Sequence, residues 1–196
     1  MAGRVPLANP RSGDHLERMA LKVIQGSQPH LLKEAAPFDI EEFFEFDVED
    51  ICGVRIDYRS DLPDGVYGYT DSEERLTVIS SELMEDPRQR RFCRSTMAHE
   101  AGHALIHVPE FRLKKAFLRS IHDEKHVSLR LYREAEIKPY MNPEWQAWRF
   151  AGALMMPARP FTDAVLKGCD VGRLADLFQV NPAFVKARGR ALKMTI

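Results

Sequence analysis

The sequence predicts an α+β fold in which a small three-stranded, mostly antiparallel sheet packs on one long helix, with further helices before and after it. Short stretches that alternate apolar and polar residues occur between positions 54 and 80, which indicates strands. Around them, apolar residues recur three and four positions apart, which indicates helices. Asx-Pro pairs at 86–87, 142–143 and 181–182 are typical helix starts, because Asp or Asn caps a helix and Pro fits its first position.

These patterns predict the elements in order along the chain. Helices are expected over 14–26 and 37–53, each closed by a glycine. The expected strands cover 54–58, 66–70 and 75–80, separated by turn-forming residues. The longest helix is expected over 86–107, where Pro109 limits it, and residues 110–141 carry no clear pattern. The remaining helices are expected over 142–156, 161–167, 171–179 and 182–193.

The composition is that of a globular protein. The 196 residues include 28 basic and 29 acidic side chains, 44% are hydrophobic and 29% are charged. These values exclude a disordered or fibrous chain and a uniformly basic nucleic-acid binder. Apolar runs fall short of the roughly 18 residues that a membrane-spanning helix needs, so no membrane partner is expected. Cys52, Cys93 and Cys169 form no disulfide framework and no signal segment is apparent, which indicates a cytoplasmic protein.

The chain is expected to form one domain after a short N-terminal segment. Residues 1–13 contain two glycines and two prolines and predict a flexible N-terminus. Residues 14–196 predict a single domain, of which 159–196 forms a helical C-terminal part. The sequence does not define an oligomeric state.

The strongest chemical signal is the HExxH pattern from His99 to His103, inside the longest predicted helix. Two imidazoles four residues apart lie on one helix face, where both can bind one Zn²⁺. Zinc lowers the pKa of a bound water to about 7, and the carboxylate of Glu100 can take a proton from that water. Chance would produce the pattern about 0.02 times in a chain of this composition. The alternative is a pair of ordinary histidines on a partly buried helix face.

A catalytic zinc needs a third protein ligand and an open fourth position. In a straight helix His107 cannot join His99 at one ion, because their positions are about 12 Å apart along the axis. The third ligand should therefore come from a later helix. Glu144 is the only carboxylate in the predicted helix 142–156, and Glu134 and Glu136 are alternatives.

Two sequence blocks resemble the ImmA/IrrE family of zinc metallopeptidases. The first runs from Met97 to His107 around the HExxH pattern, and the second, from Glu144 to Pro157, is similar to the family's ExxANxFAxxLLMP pattern. Weaker similarity extends the resemblance over about residues 35–195. Trp148 stands where the family pattern has Asn, so hydrogen bonding around the metal ligands is expected to differ there.

The resemblance implies a specific chemistry for the chain. It implies His99, His103 and Glu144 as Zn²⁺ ligands and Glu100 as the catalytic base. It also implies an intracellular endopeptidase that cleaves a specific protein partner, such as a helix-turn-helix repressor. An extended substrate could add to an exposed edge of the predicted sheet. The oxyanion of the reaction needs a further hydrogen-bond donor, and the sequence offers His107, His122, His126 and Tyr140 without choosing among them.

Two other functions are compatible with the sequence. A zinc-containing regulatory or toxin-like module would bind a repressor or antitoxin without cleaving it. A DNA-binding regulator would instead use the segment 174–185, which reads as helix, turn and helix. From Arg159 on the chain has seven basic and three acidic residues, which suits a nucleic-acid partner. The apolar residues of the same segment equally suit packing into the domain.

Overall fold

The structure is a computed structural model that describes residues 4–122 and 128–196. Its strands are β1 (Arg4–Pro6), β2 (Arg55–Arg59), β3 (Gly68–Asp71), β4 (Leu76–Ser80) and β5 (Leu131–Arg133). Its α-helices are α1 (Gly13–Ser27), α2 (Ile40–Glu42), α3 (Val48–Cys52), α4 (Ser81–Glu85), α5 (Arg90–Gly102), α6 (Val108–His122), α7 (Pro143–Met155), α8 (Ala158–Leu166), α9 (Val171–Phe178) and α10 (Pro182–Ala191). Short 3-10 turns cover Pro29–Leu32, Pro87–Gln89, Glu134–Glu136 and Pro139–Met141.

The α+β prediction is confirmed, but the direction of one strand pair differs from the expectation. The three-stranded sheet has the order β2-β4-β3, with β4 antiparallel to β3 and parallel to β2. The sheet is therefore mixed rather than mostly antiparallel. Alternation of apolar and polar residues locates a strand but does not determine which strand it pairs with. The central strand β4 follows β3 along the chain and turns back beside it, and it runs in the same direction as β2 on its other side.

The helix that carries the HExxH pattern is longer than predicted. A π-helical turn, His103–His107, joins α5 to α6, so the helix continues past Pro109 to His122. In this turn the N–H of Val108 bonds to the carbonyl of His103, five residues back. In a regular helix the proline ring collides with the carbonyl four residues earlier. The wider turn just before Pro109 changes that spacing, and the expected helix end is therefore wrong.

The helix α5 lies buried between the three-stranded sheet and α7. Every residue from Cys93 to Gly102 is buried. A Cβ on Gly102 would lie 3.2 Å from both the Cα and the carbonyl oxygen of Ala147 in α7. The glycine therefore allows the two helices that carry the candidate metal ligands to approach closely.

Gly102→Val is expected to destabilise the protein by about 1–3 kcal/mol, because the added side chain meets the α7 backbone, which cannot rotate away. Urea unfolding of the variant measures the loss. Gly26→Val in α1 is the matched control, since a Cβ there meets nothing within 4 Å. Equal stability of the two variants would contradict the close approach.

The N-terminal segment contacts the rest of the chain. Residues of β1 pair antiparallel with β5. The backbone N–H of Asn9 donates to Glu110 Oε1 at 2.6 Å, and the N–H of Arg11 donates to the carbonyl of Tyr140 at 2.8 Å. The described part of the segment expected to be flexible, residues 4–13, thus lies against the helix that follows the HExxH pattern. Flexibility over 1–13 and a single domain over 14–196 stay predictions.

The C-terminal helices pack into the core. Of the apolar residues predicted to pack there, five are buried, namely Leu174, Phe178, Val180, Phe184 and Val185, and Leu177 is partly buried against the same core. The guanidinium of Arg188 in α10 is also buried, where it pairs with Glu17 of α1 and donates to the carbonyl of Met156 at 2.8 Å. Among residues 4–122 and 128–196, no helix has both the length and the apolar composition needed to cross a membrane.

Candidate metal centre

Three side chains predicted as metal ligands converge at one point. His99 Nε2 lies 3.1 Å from His103 Nε2 and 3.3 Å from Glu144 Oε2, and His103 Nε2 lies 3.4 Å from Glu144 Oε1. The four-residue spacing places both imidazoles on one face of the helix. Glu144 is in the first turn of α7, which the side chain of Asn142 caps by accepting from the N–H groups of Glu144 and Trp145.

The geometry of these three residues fits Zn²⁺. Ligand atoms 2.0–2.2 Å from a tetrahedral zinc lie about 3.3–3.6 Å from one another. The measured separations of 3.1–3.4 Å are close to that range. Two imidazole nitrogens and one carboxylate oxygen are also a donor set typical of zinc. Among the residues that the structure describes, these three are the His, Cys, Asp or Glu side chains that lie close enough together to hold one metal ion.

The alternative carboxylates lie outside this group. Glu134 Oε1 accepts from Asn142 Nδ2 at 3.4 Å, and Glu136 Oε1 lies 3.9 Å from Arg133 Nη1. Neither is therefore brought to the two imidazoles. Of the three candidate carboxylates, Glu144 is the one that lies beside both imidazoles, because the first turn of α7 faces the HExxH helix.

The pKa values of His103 and Glu144 are shifted by their neighbours in this group. Burial raises the pKa of Glu144, but hydrogen bonds from His103 and His99 outweigh burial and hold that pKa well below its usual range. For His103, burial lowers the pKa, but the hydrogen bond to the Glu144 carboxylate and the negative charges of Glu144 and Glu100 together outweigh burial and raise that pKa. Negative charge on Glu144 thus persists in the site, which favours a cation there.

Glu100 lies beside this group, and a hydrogen bond from a residue of the three-stranded sheet holds its carboxylate. Thr70 Oγ1 in β3 donates to Glu100 Oε2 at 2.7 Å, and only 5% of Glu100 is exposed. A Cβ on Gly68 would lie 3.2 Å from Glu100 Cγ, so a glycine leaves room for the carboxylate arm. The contact with Thr70 was not predicted, because it joins residues 30 positions apart and no local pattern reports it.

Trp148 packs on the outer side of the candidate centre. Its ring lies 4.2 Å from the His99 ring at an interplanar angle of 30°, and 41% of the residue is exposed. His99 Nδ1 is buried and has no hydrogen-bond partner within 4–122 and 128–196. Where the family pattern has an Asn that could form hydrogen bonds, Trp148 therefore makes a ring contact with His99.

The candidate group opens into a cleft of about 390 Å³. One wall is the strand β3, and Val5 and Pro6 of β1 also line the cleft. Of the predicted oxyanion donors, His107 lines the cleft, whereas Tyr140 does not. His126 and the side chain of His122 fall outside the described residues.

Comparison with known proteins identifies a similar fold and a family. Among solved structures, the chain is similar to one described as "Mycobacterium tuberculosis transcriptional regulator", with 18% sequence identity and a TM-score of 0.57. The similarity covers 88% of this chain but 45% of that one, and at this identity it shows the fold alone. None of the curated proteins compared with the chain matches it. The family described as "Peptidase_M78: IrrE N-terminal-like domain" matches residues 50–189, and the chain therefore belongs to this family, the ImmA/IrrE family.

Proposed function

We propose that the chain is a zinc-dependent endopeptidase that cleaves a specific protein partner, with a helix-turn-helix repressor as the expected partner class. The observation that carries the proposal is the convergence of two imidazoles and a carboxylate beside Glu100, in an open cleft. The family match supports a peptidase-like chemistry. The choice of a repressor as partner class rests on the resemblance of the two sequence blocks to the ImmA/IrrE family.

Each side chain of the candidate site has a different role in the proposed peptide hydrolysis. His99, His103 and Glu144 would hold the metal. When bound, Zn²⁺ supplies a Lewis acid for the scissile carbonyl and lowers the pKa of water. Glu100 takes a proton from the attacking water and passes it to the leaving amine. Because Thr70 donates to Oε2 of Glu100, the Oε1 atom is left to accept the proton.

The strand β3 offers a place for the substrate backbone. It is an edge strand, since its hydrogen-bonded neighbour in the sheet is β4 alone among the described strands. Residues 68–70 of β3 line the cleft beside Glu100. An extended peptide that pairs with this edge would bring its backbone past the candidate metal group.

Co-expression of the chain with a helix-turn-helix repressor tests the proposal. A shortened repressor, absent when Glu100→Gln replaces the native chain, supports proteolysis. An intact repressor in a stable complex indicates instead a binding module that retains the metal group.

A DNA-binding assay tests the remaining alternative. Salt-sensitive binding of the purified chain to duplex DNA, without any cleavage, would favour a DNA-binding regulator.

Thr70→Val is expected to lower the cleavage rate about 10–150-fold, since a hydrogen bond to a charged group is worth about 1.5–3 kcal/mol and this one orients Glu100. Cleavage assays at saturating substrate measure the effect on kcat. Thr70→Ser, which keeps the hydroxyl group, is the control and should approach the native rate. Full activity of the valine variant would show that Thr70 does not orient the base.

A further inference from the structure

Gln146 has an amide whose orientation is determined by its surroundings. The residue lies in α7 and is fully buried. Its Nε2 donates to the carbonyls of Asn9 at 2.9 Å and Tyr140 at 2.8 Å. These two carbonyls use both N–H groups of the amide. The oxygen must therefore be the atom that faces the other way, where Arg11 Nη1 donates to it at 3.1 Å.

The amide oxygen of Gln146 determines which nitrogen of His107 carries a proton. His107 Nε2 lies 3.2 Å from Gln146 Oε1, and the histidine is 1% exposed. Because a carbonyl oxygen only accepts, His107 Nε2 must donate. The two nitrogens of the buried His107 face an amide oxygen and another imidazole rather than a carboxylate, and the guanidinium of Arg11 lies at the same amide oxygen. A positive charge on the ring would therefore be buried without a counter-ion, so the ring is neutral. A neutral imidazole has one N–H, and His107 Nδ1 therefore offers a lone pair.

The lone pair of His107 in turn constrains His103. The two Nδ1 atoms lie 3.1 Å apart. Since His107 Nδ1 accepts, His103 Nδ1 must carry the proton. The other nitrogen of His103, Nε2, is then the one that faces His99 and Glu144.

We propose that Gln146 and His107 are positioning residues that hold the proton of His103 on Nδ1 and so present the Nε2 lone pair of His103 to a metal ion. The inference deepens the proposed function, on which it rests for the identity of the metal centre. A ligand histidine commonly donates its second nitrogen to a carbonyl or carboxylate. In this chain the neutral imidazole of His107 accepts that hydrogen bond, and the buried amide of Gln146 sets the tautomer of His107.

The tautomer of His107 is the first test. Two-bond ¹H–¹⁵N correlation spectra of the full chain, recorded where the imidazoles are neutral, identify the protonated nitrogen of each ring. We expect His107 to carry its proton on Nε2 both before and after Zn²⁺ is added. A proton on Nδ1 of His107 in either sample would overturn the proposal, whether or not the protein cleaves any substrate.

Zinc affinity of two His107 variants is the second test. His107→Leu removes the acceptor and should weaken zinc binding about 10–100-fold. His107→Asn places an amide oxygen near the former Nδ1 position and should recover most of that loss. A role in packing alone predicts the opposite order, because leucine suits a buried position better than asparagine. Native affinity in His107→Leu, or no recovery in His107→Asn, would overturn the proposal.

These readouts separate this inference from the proposed peptidase activity. A chain that binds zinc tightly and shows the expected tautomer, yet cleaves no repressor, would retain the positioning role and lose the peptidase proposal. A chain that cleaves its partner but carries the His107 proton on Nδ1 would retain the peptidase proposal and lose the positioning role.

Discussion

Glu100→Gln is expected to reduce cleavage by at least about 10²–10⁴-fold while zinc content stays unchanged. The amide keeps the size of the side chain but cannot take a proton from water, and general-base catalysis is worth about that factor. Zinc content should persist because Glu100 is not among the three side chains whose ligand atoms converge. Partner cleavage on gels and metal analysis of the same preparation measure the two quantities.

Glu134→Gln is the matched control for this variant. Glu134 is a partly buried glutamate that precedes α7, and its contact with Asn142 uses an oxygen that an amide retains. It should cleave at the native rate. Native cleavage by Glu100→Gln would remove Glu100 as the base, whereas loss of both zinc and cleavage would place Glu100 among the ligands.

His103→Ala is expected to lose most of the bound zinc and all detectable cleavage. The substitution removes one of the three proposed ligand atoms and leaves Glu144 with one imidazole partner. It also removes the ring to which His107 is hydrogen-bonded. Metal analysis after dialysis against a weak chelator measures the loss, and the exposed His15→Ala is the control.

Substitution of the three carboxylates completes this test. Glu144→Ala should lower zinc content in the same way as His103→Ala, whereas Glu134→Ala and Glu136→Ala should leave it unchanged. Equal zinc content in the His103→Ala variant and the native chain would contradict the ligand assignment. Anomalous scattering from a zinc-loaded crystal would then show which side chains bind the ion.

Much of the candidate centre was accessible from sequence because its geometry is local. Residues four apart in a helix share a face whatever the fold, so His99 and His103 were expected to lie together. The capping pair Asn142-Pro143 marks the start of α7 without any tertiary information, and Glu144 follows directly. Glu134 and Glu136 could not be dismissed at that stage, because no local rule predicts which segment returns to the HExxH helix.

The less accessible features depend on contacts between distant segments. Thr70 reaches Glu100 across 30 residues, and Gln146 reaches His107 across 39. Pro109 indicates a helix end by its covalent structure, yet the π-helical turn before it allows the helix to continue. The strands β1 and β5 are three residues each, too short to produce a recognisable alternation.

Local sequence patterns were enough to predict the chemical types at the candidate centre, the helix that carries two of them, and the start of the helix that carries the third. The strand order, the hydrogen bond that holds Glu100, and the contacts from Gln146 through His107 to His103 became known only from the folded chain. The two groups differ in the distance over which their interactions act. Backbone hydrogen bonding and capping act within one helical turn and leave a pattern in the sequence, whereas a side chain's hydrogen-bond partner depends on which surfaces the whole chain buries together.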